Sequence, residues 1–545
     1  MPTGFGLKEG LTPLDDYQQS QMVKKLIERA FPDATMKELN PYAILDKIGY
    51  HQARGIGFRV EYTDEVHERA QVEYAGLRAM ETDELTIWEM YEKNKVLQNS
   101  LDFNDMILLH NRRCREDEAW RTKLQKQFDF VLCDEVQDHS KIQWEYTSNL
   151  LTPENLNLYC VGDFSQSVMG FQGAAPQLLL EFSKGWRGTV PTMYRIATNH
   201  RSLPKIISLA NSVQAKMDDG IPLKMLPFRG SDTEKGVTRI LKGRLPIDIA
   251  TSIATEIHRN REVTPYRDNA ILVRTATQIR DIETALVRYR IPYIVRGGKG
   301  LLATEEVRDI LSYLHFATNP KSFTSFARAM AAPKRGYGEV ALERVSKIAE
   351  ERFDGDLLTT IAPDAKLIPF ITLIKDVQRL KDNPVDAVMR IINGSQYKPY
   401  IEAKYKKDRE KVQTKLENLE RFGELVGSLV EDNTMTTEDI VFQLTLDRGR
   451  EDDKDGSVVI STVHSSKGLE WKNVWVPNMV EDSYPHFFSK EHEVAEERRL
   501  VYVAFTRARD KLIIGVHEFQ PPSWGEQSKP RPVEPSRFLK ELNII

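Results

Sequence analysis

The chain has 545 residues, 41% of them hydrophobic and 29% charged, with a formal net charge of −4. That length exceeds what one hydrophobic core supports, so three or four domains are expected. The near-neutral balance does not advertise a nucleic-acid binder, nor does it exclude one, because a local basic channel matters more than the sum.

Three scattered cysteines, Cys114, Cys133 and Cys160, match neither a disulfide framework nor a zinc site. Cys133 and Cys160 lie in apolar runs and read as buried core thiols. No apolar stretch approaches membrane-spanning length and the N-terminus carries no signal-peptide pattern, so a soluble cytoplasmic protein without a membrane partner is expected (in the host cytoplasm if viral).

Residues 1–12 read as irregular. From Pro13 the text is helical, with Met22, Leu26, Ile27 and Phe31 at helical spacing. Residues 32–98 continue as short helices broken near Pro32, Pro41 and the Gly55/Gly57 pair. His51, Arg54 and Arg59 could touch a phosphate backbone, although a solvated face is the simpler reading. A further helix opens at Leu101–Met106 and runs through Leu109.

The stretch that organises the chain follows. Phe130–Cys133 reads as a buried strand of a parallel sheet and ends abruptly in Asp134-Glu135. Ligands of open α/β sheets bind at that edge. Paired carboxylates there can hold Mg²⁺ on a nucleotide and steer the water that attacks its terminal phosphate. An isolated Asp-Glu would equally suit the first turn of a helix. Gln143 and Trp144 begin an amphipathic helix, and a second strand, Leu156–Val161, delivers Gly162-Asp163-Phe164-Ser165-Gln166. Two strands ending in polar clusters make a nucleotide-site edge more plausible than one.

Asn199-His200-Arg201-Ser202 precedes a helix-like Leu203–Asn211. Further strands are read at Ala270–Val273, Val458–Ile460 and Leu512–Ile514, with a charged helix at Glu496–Ala508. Residues 305–445 are mostly helical and carry the basic clusters Lys334-Arg335 and Lys404–Lys411. The acidic Glu451–Asp455 run reads as a solvated loop. The layout is an α/β domain split by a long helical insertion.

Taken together these stretches resemble the UvrD/PcrA/Rep-like family of superfamily 1 DNA helicases. Asp134-Glu135-Val136-Gln137-Asp138 is similar to that family's Walker B motif, and Val161–Ser167 through Phe171–Ala174 to the motif linking nucleotide to DNA. Asn199–Ser202, Thr462–Glu470 and Glu496–Ala508 match later motifs in the family's order. Ile291–Tyr293, Pro333–Gly336 and Pro535–Leu539 also look like family sequences.

The resemblance implies an ATP- and Mg²⁺-dependent 3′–5′ helicase or translocase acting on single-stranded DNA and duplex junctions, in repair, replication or recombination. It implies that Asp134 contacts Mg²⁺ and Glu135 takes the attacking water's proton. Gln166 would sense the γ-phosphate, Arg201 and Arg507 would supply cationic forks, Glu470 would bond the ribose, and His200 would lie beside the adenine. It places Phe171, His464 and Lys467 on the DNA strand and Lys334-Arg335 near duplex phosphates. Three positions depart from the family: Met169 and His200 each replace a usual tyrosine, and Gln172 a usual arginine.

A larger departure is that G-x-x-x-x-G-K-[ST] occurs nowhere. Gly297-Gly298-Lys299-Gly300 lacks both hydroxyl and spacing and reads as a turn. The P-loop cradles the β and γ phosphates, so a second polypeptide carrying it is expected, a truncated product being the next reading. The implied architecture is two RecA-like P-loop NTPase motor domains, the first incomplete at its N-terminus, each with a helical insertion. The parts are 13–98 as the first insertion, 99–190 as the first core, 191–300 with 446–520 as the second core, 301–445 as its insertion, and 521–545 as a tail. A non-hydrolysing DNA-binding or regulatory fragment of the same fold is the alternative. A helicase–nuclease subunit is a weaker one, because the text after the last motor strand leaves no room for a nuclease.

Overall fold

A computed structural model describes residues 12–14, 16–35, 38–57, 79–98, 100–221, 223–230, 236–296, 300–406, 408–431, 435–450, 456–487, 489, 493–521 and 529–545. The expectations for residues 1–11, Arg59, the Gly297–Lys299 turn and the Glu451–Asp455 loop fall outside them. Two compact units emerge. One comprises Met1–Thr198, Asn211–Leu226 and Ser489–Val503; the other comprises Asn199–Ala210, Pro227–Phe488 and Ala504–Ile545.

In the first unit, α1 (Asp16–Ala30), α2 (Pro41–Ala53) and α3 (Thr82–Leu97) bury Val23, Leu26, Ile27, Ile44, Ile48, Trp88 and Tyr91 against one another. Pro41, read as a breaker, instead starts α2. Asn40 caps the backbone N–H groups of Tyr42 and Ala43, and a first-turn proline has no N–H to satisfy. His51 is buried and stacked on Trp88 at 5.9 Å, and Arg54 lies 4.6 Å over the Tyr50 ring. His51 is therefore a core residue, neither a solvated face nor a phosphate contact. At the end of α3 the buried Lys95 ammonium lies 2.9, 2.5 and 2.7 Å from Glu92, Asp102 and Asp105. Asp102 caps α4 (Phe103–Glu116), so this knot fixes the helix that leads to the acidic strand.

The strands β1 (Val131–Cys133) and β2 (Leu158–Cys160) pair in parallel, with Leu132 opposite Tyr159 and Cys133 opposite Cys160. One face packs on α5 (Lys141–Asn149) and α6 (Gln177–Lys184) through Val136, Phe164, Leu179 and Trp144. The other face is bare: Phe130 is 68% exposed, Leu132 76% and Tyr159 52%. The expectation of a fully buried strand is thus corrected. A continuous apolar run signals cover on both faces, but alternate residues point to opposite sides and only one side is covered among the described residues. The buried-thiol expectation fails with it: Cys133 and Cys160 are partly exposed, and Cys114 is the buried cysteine.

The second unit is built on six parallel strands: β3 (Val237–Gly243), β4 (Asn269–Val273), β5 (Tyr293–Arg296), β6 (Val458–Thr462), β7 (Trp471–Val476) and β8 (Ala508–His517). Their order is β3-β8-β7-β4-β6-β5. The apolar runs at 270–273, 458–460 and 512–514 lie inside β4, β6 and β8. Residues 464–470 follow β6 and residues 504–507 lead into β8, while residues 200–210 follow the separate short strand Thr198–Asn199. Helices from Glu305–Thr318 to Thr437–Arg450 share one hydrophobic cluster with the sheet, including Ile271, Val458, Ile460, Leu314, Phe370 and Leu425. No helix among the described residues is long and apolar enough to cross a membrane.

Candidate functional site

In the first unit the acidic pair sits where β1 stops. Glu135 adopts a left-handed backbone (φ 50°), which bends the chain into the turn Val136–Asp138. A non-glycine residue held there costs about 1–3 kcal/mol and persists only when its surroundings over-determine it. They do so here. The Val136 N–H donates to the Val161 carbonyl at 3.0 Å, and the Glu135 N–H to Asp134 Oδ1 at 2.9 Å. Both carboxylates are exposed.

The residue that joins the two strand ends is Gln137, fully buried, whose part went unread in the sequence. Its Nε2 donates to Glu135 and, at 3.4 Å, to Asp138, while its Oε1 accepts the Asp163 N–H at 2.9 Å. Its carbonyl accepts from Ser167 Oγ at 3.2 Å. Asp163 in turn accepts from Gln166 Nε2 at 2.8 Å and from the Ser165 N–H at 2.9 Å. Gly162 is required beside this clasp, since a Cβ there would lie 2.7 Å from Gln137 Oε1. The Asp134-Glu135 pair and Gln166, distant from it in sequence, thus share one hydrogen-bonded edge.

Phe171 lies on the turn Gly170–Gln172 and is 38% exposed. The Gly170 N–H donates to Glu496 Oε1 at 3.1 Å, and Gly173 (φ 88°) closes the turn against Ala53, leaving no room for a side chain. Burial raises the Glu496 carboxyl above its ordinary value, opposed by the Gly170 N–H and Arg499. Arg499 donates to the Ser167 carbonyl at 2.8 Å and pairs with Asp219 at 2.8 Å. Glu496 and Arg499, one helical turn apart on Val494–Thr506, therefore grip the Ser167–Gly173 segment. The charged helix was legible in the sequence, but not what it holds.

In the second unit Asn199 Oδ1 accepts the N–H groups of Arg201 and Ser202, and Ser202 Oγ donates to the Ala508 carbonyl at 2.6 Å. This pins the segment to β8. Arg201 Nε donates to Glu470 at 2.5 Å, and its Nη1 to the Thr506 carbonyl at 3.2 Å. The Arg201 hydrogen bond, with Arg509 and Arg507 adding attraction, holds the Glu470 carboxyl below its ordinary value. Arg507 is buried and donates to the Leu469 carbonyl at 3.2 Å and to Thr506 Oγ1 at 3.1 Å. His200 packs on Phe228 at 4.3 Å. Glu470 also borders a cleft of ≈ 320 Å³ with Arg267, Asp268, Trp471, Lys472, Arg509 and Asp510. His464 begins the turn His464–Ser466; Lys467 follows it, half-buried.

Arg335 is engaged within the helical region. Its guanidinium donates to the carbonyls of Ala329, Pro333 and Ser395 at 2.6, 2.9 and 3.4 Å and lies 4.7 Å over the Phe370 ring. It holds the fold of the helical region, while its neighbour Lys334 is exposed. Arg335→Ala should therefore lower stability by about 1–3 kcal/mol in thermal or urea denaturation, since buried acceptors lose their donor. A variant as stable as wild type would show that these bonds hold nothing.

A strand ending in paired carboxylates in the first unit, and two arginines bonded beside Glu470 and Leu469 in the second, are features of the superfamily 1 helicase class. Residues 5–186 match the UvrD/REP helicase N-terminal domain, and residues 194–518 match the UvrD-like helicase C-terminal domain. The chain belongs to the UvrD-like helicase family. It is 28% identical over 560 residues to the ATP-dependent DNA helicase Rep of Escherichia coli (strain K12), covering 99% of this chain and 80% of that one. It is 27% identical over 567 residues to the ATP-dependent DNA helicase PcrA of Leuconostoc citreum, covering 99% of this chain and 72% of that protein.

Proposed function

We propose that the chain is the catalytic body of an ATP-dependent 3′–5′ DNA helicase or translocase working in repair, replication or recombination. The observation that carries this reading is the Gln137 clasp, which holds Glu135 and the Asp163–Gln166 pair on one edge. The exposed Asp134 carboxylate offers the hard oxygen donor that Mg²⁺ takes. Bound ATP–Mg²⁺ would supply the phosphoryl group and neutralise its charge. Glu135 accepts the water's proton, and Gln166, held by Asp163, orients that water or senses the terminal phosphate. Arg201 and Arg507 supply guanidinium forks suited to phosphate oxygens. For Arg201 this means leaving Glu470, which then becomes available to a ribose hydroxyl; for Arg507 it means release from the Leu469 carbonyl. His200, packed on Phe228, offers its imidazole to the adenine.

On the DNA side, Phe171 offers a ring for base stacking, and His464, Lys467 and Lys334 contact the strands. Stacking is worth about 1–3 kcal/mol per base, so Phe171→Ala should weaken single-strand binding by about 5–150-fold. Fluorescence anisotropy checks this at fixed salt; an unchanged affinity would remove Phe171 from the interface.

The loop that grips the β and γ phosphates is, on this reading, supplied by a second, P-loop-bearing polypeptide. The bare Phe130–Leu132–Tyr159 face of β1–β2 is the surface it would cover. The test is DNA-stimulated ATP hydrolysis and unwinding of 3′-tailed against 5′-tailed duplexes, by the chain alone and with a P-loop-bearing polypeptide encoded beside it. Hydrolysis only in the mixture, with 3′-tailed substrates preferred, is expected. Single-strand binding with hydrolysis in neither preparation would favour a non-hydrolysing regulatory fragment.

A further inference from the structure

The two cysteines of β1 and β2 form a cross-strand pair that the proposed helicase function does not use. Cys133 and Cys160 are direct partners in the parallel register. In-register side chains on neighbouring strands point to the same face. Both cysteines pack beside the same buried cluster of Val136, Phe164 and Leu179, and the Cys133 thiol lies 3.9 Å from Thr147 Oγ1. Neighbouring strands run about 4.8 Å apart, inside the Cα separation of about 4.4–6.8 Å that a disulfide spans. Both sulfurs belong to partly exposed residues, whereas the third cysteine, Cys114, is buried. Approach of a small oxidant and closure of the bond thus require no movement of distant chain.

We infer that Cys133 and Cys160 are a modification site: a dithiol that a peroxide converts to an intramolecular disulfide. One sulfur attacks the peroxide O–O bond, forming a sulfenic acid and releasing water. The other sulfur then attacks that sulfenic sulfur, forming the S–S bond and releasing a second water. The dithiol gives up two electrons and two protons, which reduce one peroxide to water. A thiol reductant reverses the change by exchange. The bond would tie together the last residues of β1 and β2, which lead into Asp134-Glu135 and towards the Asp163–Gln166 segment, so it closes on the two strand ends that the Gln137 clasp already joins.

The experiment treats the full chain with hydrogen peroxide, counts free thiols under denaturing conditions, and maps linked peptides by mass before and after dithiothreitol. These readouts need no hydrolysis, so they stand or fall separately from the proposed function. The wild-type count should fall from three to one, with a reducible Cys133–Cys160 peptide and no higher-mass band on a non-reducing gel. Cys114→Ser should give the same linked peptide. Cys133→Ser and Cys160→Ser, each checked for a native melting transition, should give none. Sulfinic acid at either position without a linked peptide would overturn the assignment. So would intermolecular dimers in place of the internal bond.

Discussion

Glu135→Gln is expected to lower DNA-stimulated ATP hydrolysis by about 10²–10⁴-fold, the range that a positioned general base contributes. The measurement belongs in the assembly that hydrolyses ATP, at saturating nucleotide and single-stranded DNA. The substitution is nearly isosteric, and residue 135 is exposed, so no core contact is lost. An amide at this position still offers an oxygen to Gln137 Nε2, so the clasp and the left-handed turn survive. What disappears is basicity. The melting transition and single-strand affinity should therefore match wild type while the rate collapses. A drop smaller than about tenfold, well below that range, would assign the proton to another group. A drop accompanied by loss of the melting transition would show Glu135 acting through the fold.

The contrast between Glu135 and Gln137 shows how far sequence reading reaches. An apolar run ending in two acids is a one-dimensional signal, and the turn it predicts is present. Gln137 carries no such signal: a glutamine two residues on looks like any polar turn residue. Its importance comes from burial beside Gly162, which follows the other strand. The same limit explains β3 and β7, which were not anticipated. Val-Thr-Arg-Ile-Leu-Lys-Gly alternates only loosely because β3 is the last strand of the sheet, and Trp-Lys-Asn-Val-Trp-Val places a buried Asn473 where its amide bonds to Asn269 of β4. Arg335 has contacts that the sequence does not announce. A Lys-Arg pair reads as a phosphate contact, and nothing in the text foretells the three backbone carbonyls around the guanidinium. Helix periodicity was more dependable: Leu26 and Ile27 are core residues of α1, and Met22 and Phe31 pack against that core.

Lys95→Met should destabilise the first unit by about 3–5 kcal/mol, the cost of removing one partner from a buried ion cluster. The carboxylate oxygens of Glu92, Asp102 and Asp105 lie close enough together to hold a metal ion, but the Lys95 ammonium makes an ion pair with each of them. Without it the three buried acids lose the cation they share, and α3 loses its tie to the capped start of α4. The pH dependence should then change sign. In the wild-type protein, burial pushes the Asp102 carboxyl up, but attraction and hydrogen bonding from Lys95, with the Asp105 N–H and Gln52, outweigh it and leave the folded value below the ordinary 3.8. A depressed carboxylate contributes stability that is present above its unfolded value and lost as pH falls through its folded value. Wild-type stability should thus hold through mild acid and fail only in strong acid. In Lys95→Met desolvation acts unopposed by the ammonium, the carboxyl values rise above their unfolded ones, and acidification protonates the buried acids and restores stability. Urea denaturation at neutral pH and in mild acid checks both halves. A variant losing less than about 1 kcal/mol at neutral pH, short of the buried-pair range, or losing further stability in mild acid, would show that water or a rearranged side chain replaces the ammonium. Adding Asp105→Asn should recover part of the loss, because it removes one uncompensated charge from the same site.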